Sequence, residues 1–325
     1  MLEKPESHEI GDKHLFSVTN FFRHMTKHRT QWTERAPRGS ILTAILVSSL
    51  LVASAYADAV LVKLQAATVR AWDRYYQWAD QRVQRQLADP ARFLIQDRLS
   101  DKERKEVRAK LEKGEIVQQR VTTDVIPPGE KFTVPHGEIH HVWGSVLIPR
   151  IKLPDLLKFL QDYDHHAGKF ADVEHSRLIS RQGDRFMIYY RLSRTKAFVS
   201  ATYNTEQEAV YTTISPKQVF SKSIASKIAE LENPGTPKEK ERPAGEDHGF
   251  LWRLVSWWRF EETDNGVIVE CESASLSRDV PAILAWMPLI GRYIRSTPLE
   301  SLRSVLTSIQ SQFPAKKRGF RGQAP

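Results

Sequence analysis

The chain has 325 residues, with 48 Lys and Arg against 39 Asp and Glu, for a formal net charge of +9. A hydrophobic content of 41% and a charged content of 27% exclude collagen-like, wholly disordered and multi-pass membrane chains. The single cysteine, Cys271, excludes a disulfide framework and a cysteine-based zinc site.

Residues 1–40 form a basic tail. Residues 41–57, ILTAILVSSLLVASAYA, are 17 positions without a charge, about 25 Å of helix at about 1.5 Å per residue. Extended to Val62, the run reads as a transmembrane anchor. The alternative is a signal peptide cleaved after Ala57, at Ala55-Tyr56-Ala57. Arg23, Lys27, Arg29, Arg35 and Arg38 precede it, so the positive-inside bias keeps the tail in the cytoplasm and sends the rest outside. The expected location is the cell membrane, with the C-terminal domain in the cell envelope, or the periplasm or exterior if the segment is cleaved.

A helical stalk is expected over 63–113. Val69, Trp72, Tyr76, Ala79, Val83 and Leu87 follow a three-four spacing, with Arg70, Arg74, Arg82 and Arg85 on the other face and Pro90 as the stop. A second helix over 101–115 has Ser100 as cap and Glu103 three positions later. The domain proper spans 114–313, followed by a basic tail at 314–325. Strands are predicted at 115–123, 138–148, 173–181, 185–193, 197–204 and 207–215. Short helices are predicted at 154–163 and 217–231, and 233–247 is a polar Pro/Gly insertion expected to be mobile.

Strands 250–262 and 267–277 flank Asn265-Gly266, a strong hairpin signal. A two-residue Asn-Gly loop sets Trp258 opposite Ser273, Phe260 opposite Cys271 and Arg259 opposite Glu272. Phe250, Trp252, Leu254, Trp258 and Phe260 then share an apolar face with Val267, Val269 and Cys271, while Arg259 and Glu272 face solvent. Thr297-Pro298-Leu299-Glu300 predicts the start of a final helix whose stripe is Leu299, Leu302, Leu306, Ile309 and Phe313.

The stretches VWGSVLIPRIKLPDLLKFLQDYD at 142–164, the meander at 173–215, and WWRFEETDNGVIVECES leading to PLESLRSVLTSI together resemble the START-related, SRPBCC or helix-grip (Bet v 1-like) superfamily over about 137–313. The resemblance implies an α+β fold, with a curved antiparallel sheet wrapped around a long C-terminal helix. It also implies an apolar small molecule or lipid between the two. Cavity residues expected on that basis are Tyr190, Trp252, Trp258, Cys271, Leu299, Leu302, Leu306 and Ile309, with Trp286 and Met287 at the mouth. The superfamily has no universal catalytic residue to carry over.

Other chemistry is weakly signalled. His136, His140 and His141 read as capping or solvated histidines rather than metal ligands. Asp162, Asp164, His165 and His166 read as a polar turn. Asp172 with Glu174, and Glu270 with Glu272, read as outer strand faces. Ser223, Ser226, Ser273 and Ser275 lack a nucleophile motif, and there is no Walker loop or G-x-G-x-x-G. No cofactor and no metal are expected. With no Arg-rich recognition helix and no RNP-like motif, neither is nucleic acid. The alternatives are a cyclase- or hydrolase-like enzyme on a polyketide or aromatic substrate in the same cavity, and a ligand-free envelope scaffold.

Overall fold

A computed structural model describes residues 61–122, 132–196, 199–279 and 288–314, all within one compact unit, Asp58–Pro325. The expected anchor at 41–62 lies almost wholly outside these residues, as do Trp286 and Met287. Among the described residues no helix is long and apolar enough to cross a membrane.

The first helix, α1 (Ala66–Leu87), buries Trp72, Tyr75, Ala79 and Val83, one face at three-four spacing. Tyr75 rather than Tyr76 sits at its centre, and Arg82 turns toward the protein instead of solvent. Helix α2 (Asp101–Glu112) has the expected capping box, with Ser100 and Glu103 each accepting from the other's backbone N–H.

The sheet comprises β1 (Val117–Arg120), β2 (Gly137–Pro149), β3 (Val173–Gln182), β4 (Arg185–Lys196), β5 (Val199–Ser215), β6 (Gln218–Glu232), β7 (Arg253–Thr263) and β8 (Gly266–Arg278). It is antiparallel, in the order β1-β2-β8-β7-β6-β5-β4-β3, and Lys240–Glu241 adds a short ninth strand to β6. Register shifts in the β3–β4 and β5–β6 pairings bend these strands. Helix α3 (Leu153–Leu160) follows β2, and α4 (Pro288–Gln312) lies across the concave face, chiefly against β2. A strongly curved antiparallel sheet gripping a C-terminal helix is the helix-grip architecture.

Three expectations need correction. Residues 217–231 form strand β6, not a helix. Ile224, Ile228 and Leu231 have helical spacing, but pairing with β5 and β7 overrides it. The two strands expected at 197–204 and 207–215 are one long strand, β5. Helix α4 starts before Thr297. Pro298 sits inside it, removing one ladder hydrogen bond without ending the helix. The insertion 233–247 carries short strand pairings and is tied back by Arg191, which donates to both Glu239 carboxylate oxygens at 2.8 Å.

The sheet is covered on both faces. On the concave side Val142, Val146, Val269 and Phe260 pack with Leu156 of α3 and with Leu302, Leu306 and Ile309 of α4. On the convex side α1 and α2 pack on Ile139, Leu147, Trp257 and Ile268. The stalk is therefore a layer of the domain. Strand β2 reads as a nearly continuous buried run because both its faces are covered.

Candidate functional site

Between the concave sheet face, α3 and α4 lies a cavity of about 350 Å³. Its floor follows from strand register. Ser221, Trp258 and Cys271 form one row across β6, β7 and β8; Ser223, Ser256 and Ser273 form the next; Leu254, Ser275 and His140 extend the floor toward β2. Ile188, Tyr190, Tyr203 and Tyr211 come from β4 and β5, Tyr163, His166 and Phe170 from the turn after α3, and Leu302, Val305 and Ile309 from α4. Small side chains at successive inward positions leave the curved sheet unfilled. Where α4 comes closest there is no room at all, since a Cβ on Gly144 would lie 2.9 Å from Leu306 and 3.0 Å from Leu302.

Polar side chains interrupt the apolar wall, and several of them pair with one another. Tyr163 and Tyr211 hydroxyls lie 2.9 Å apart, His166 Nδ1 is 2.9 Å from the Tyr190 hydroxyl, and His140 Nε2 is 2.9 Å from Ser277 Oγ. Arg194 donates to Asp172 at 2.8 Å and to Ser301 at 2.5 Å. Burial pushes both His140 and His166 down to about 4, so both are neutral at pH 7. Burial pushes Tyr211 up to about 12 and the Cys271 thiol well above its usual range.

Of the expected cavity residues, the structure brings Tyr190, Trp258, Cys271, Leu302 and Ile309 together in the wall. Leu306 is buried in the α4–sheet contact, and Leu299 packs at its edge. Trp252 is not in the cavity. It belongs to the convex core, where its indole N–H donates to Asp247 at 2.8 Å, because it precedes β7 and escapes that strand's alternation. Sequence reasoning missed Tyr163, Tyr203, Tyr211 and the inward reading of the serines. It also read His166 as part of a polar turn. His165 and Asp162 do pair at the exposed surface at 2.6 Å, but His166 is buried. Strand alternation separates the other histidines. His140 faces the cavity and His141 the convex side, while His136 precedes the strand at φ 54°. Among the described residues no group of His, Cys, Asp and Glu is placed to hold a metal.

The hairpin register also differs from expectation. Thr263 pairs with Gly266, so Asp264-Asn265 is the loop, Trp258 faces Cys271, Phe260 faces Val269 and Arg259 faces Glu270. The slip is two residues, so each side chain keeps its face. What changes is the environment. Arg259, Glu270 and Glu272 are at most 1% exposed beneath α1, not solvated. Arg82 pairs with Glu272, His141 Nε2 lies 2.7 Å from the same carboxylate, and Tyr75 is 2.6 Å from His141 Nδ1. Arg259 donates to Gln86 at 2.7 Å, and Glu270 accepts from the Ile95 N–H at 2.5 Å and the Gln96 side chain at 3.1 Å. Burial raises Glu270 to about 7 against the pull of Arg259. Burial also acts to raise Glu272, but His141, Arg82 and Arg259 outweigh it and hold that carboxyl low.

No family model matches the chain. No curated protein matches it either. Among solved structures it is similar to a STAR-related lipid transfer protein fragment from Xanthomonas axonopodis, at 14% identity over 59% of this chain and 98% of that one, TM-score 0.37. It is similar to the Zhui aromatase/cyclase from Streptomyces sp. R1128, at 10% identity over 54% and 93%, TM-score 0.37. It is also similar to the lipid transfer and protein localization domain of human StarD13, at 11% identity over 66% and 98%, TM-score 0.36. The helix-grip description rests on the strand order and the placement of α4.

Proposed function

We propose that this chain is a binding protein that holds an apolar small molecule or lipid between its sheet and α4. The observation that carries the reading is the cavity of about 350 Å³ walled mainly by aliphatic and aromatic side chains. Small-molecule sites fall at roughly 300–1,000 Å³, with apolar walls and a few placed polar groups. A ligand-free scaffold would instead fill this space with side chains.

The runner-up is an enzyme acting on an aromatic or polyketide-like substrate in the same cavity. The His166–Tyr190 pair favours it, because a histidine oriented by a hydroxyl is a common proton carrier. An imidazole held at about 4 is a weak base at neutral pH, where catalysis favours a group titrating near the working pH. Binding is therefore the better reading.

Residues 41–62 are proposed to tether the domain outside the cytoplasm, supported by their uncharged run and basic N-terminal flank. A reporter enzyme active only outside the cytoplasm, fused after Phe313, should then be active.

The binding reading is tested by uptake of a fluorescent fatty acid or quinone analogue by the full chain, with and without Leu302→Trp. Leu302 lines the cavity from α4. Saturable uptake abolished by the substitution supports binding, and no uptake across these ligand classes favours the scaffold.

A further inference from the structure

We infer that the cavity selects apolar ligands bearing a hydroxyl or N–H donor, and that the row Ser223–Ser256–Ser273 reads that group. This rests on the cavity being a binding site, as proposed above. The three serines are consecutive registered partners across β6, β7 and β8, and all three line the cavity. The flanking rows are mixed: Trp258 and Cys271 with Ser221 on one side, Leu254 with Ser275 and His140 on the other. Only the row between them is serine at all three positions.

The row's chemistry follows from counting its protons. Ser223 donates to Gln207 Oε1 at 3.2 Å, Ser256 donates to Ser273 Oγ at 3.1 Å, and Ser273 donates to the Val255 carbonyl at 3.1 Å. A hydroxyl has one proton and two acceptor lone pairs. Every proton of the row is thus committed within the wall. Ser273 has accepted once and Ser256 lies against the Cys271 thiol, which leaves each an acceptor site, while Ser223 keeps two. Gln207 sends one amide hydrogen to Thr205 at 3.4 Å and keeps the other. The row presents acceptors, with one donor at its β5 end.

A ligand hydroxyl fits both kinds of group, donating to a serine oxygen and accepting from Gln207. A methyl ether of the same shape can only accept, from Gln207, and it leaves the serine acceptor sites unpaired. A hydrocarbon does neither. A buried polar group left unpaired loses its hydration without replacement, so the mismatch produces the discrimination.

The test is equilibrium dialysis of the full chain against 4-phenylphenol, its methyl ether 4-methoxybiphenyl, and 4-methylbiphenyl, each corrected with a detergent blank. The phenol should bind at least about tenfold tighter than the ether. Combined Ser223→Ala, Ser256→Ala and Ser273→Ala should bring the two within about twofold while 4-methylbiphenyl binding persists, which shows the fold intact. If the triple variant does not fold, Ser256→Ala alone should shrink the preference. Equal affinity of phenol and ether in the unaltered chain, or a preference that survives the substitutions, would overturn the inference and leave the cavity reading standing. Binding of none of the three would overturn both.

Discussion

Glu272 shows how burial changes the meaning of a charge. On an open strand face its pairing with a neighbouring arginine would be worth about 0.2–1 kcal/mol. Beneath α1, with Arg82 and His141 against it, the carboxylate is the acceptor on which two other buried polar groups depend. Glu272→Ala should destabilise the fold by about 3–5 kcal/mol in urea unfolding, because it removes the carboxylate partner of Arg82 and of His141 Nε2, leaving His141 only its Tyr75 contact. The buried histidines set a pH dependence. His140 and His166 titrate at about 4 when folded and near 6.5 when unfolded, so the unfolded chain binds more protons between those values. Their contribution is complete above about 6.5 and is lost as pH falls toward 4, up to about 3 kcal/mol for each histidine. Glu270, raised to about 7, acts oppositely, since its folded form gains stability as pH falls below 7. His166→Asn should flatten the loss of stability between pH 6.5 and 4, measured as the urea midpoint at each pH.

Two elements depend on glycines that sequence patterning did not single out for the right reason. Gly266 reads as the second residue of an Asn-Gly loop, yet it is the first residue of β8 at φ 136°, and a Cβ there would run into the Ile148 carbonyl. Gly266→Val should therefore unfold or shift the hairpin by more than turn strain alone, about 3 kcal/mol or more by thermal denaturation. Gly144 sets the closest approach of α4 to β2. Gly144→Ala should cost about 1–3 kcal/mol of overpacking and lift Leu302 and Leu306 off the sheet. The stripe Leu302, Leu306 and Ile309 was legible because helical spacing alone marks one apolar face. Its depth against the sheet was not, because that depends on a residue without a side chain more than 150 positions away in sequence.

At the scale of the molecule, most strands, the hairpin and the final helix were legible, since alternation and turn chemistry are local signals, while the gripping arrangement came from the resemblance and the pairing of β2 with β8 was not predicted. The layer formed by α1 and α2 was not. The aromatic face of α1 reads as packing on the domain that follows, which holds, but its arginine face reads as solvated, and only the pairing across β7 and β8 reveals the buried carboxylate that Arg82 meets. The cavity was half legible for the same reason. Trp258, Tyr190 and Leu302 announce an apolar interior, whereas Ser223, Ser256 and Ser273 give no sign of forming one row until register lines them up. The central claim is that this interior holds a ligand. It is tested most directly by native mass spectrometry of the full chain purified from its cells, with organic extraction of the bound material. The account predicts an apolar, hydroxyl- or N–H-bearing molecule bound one to one, absent from Leu302→Trp. A chain that carries no bound molecule and takes up none on reconstitution would contradict it.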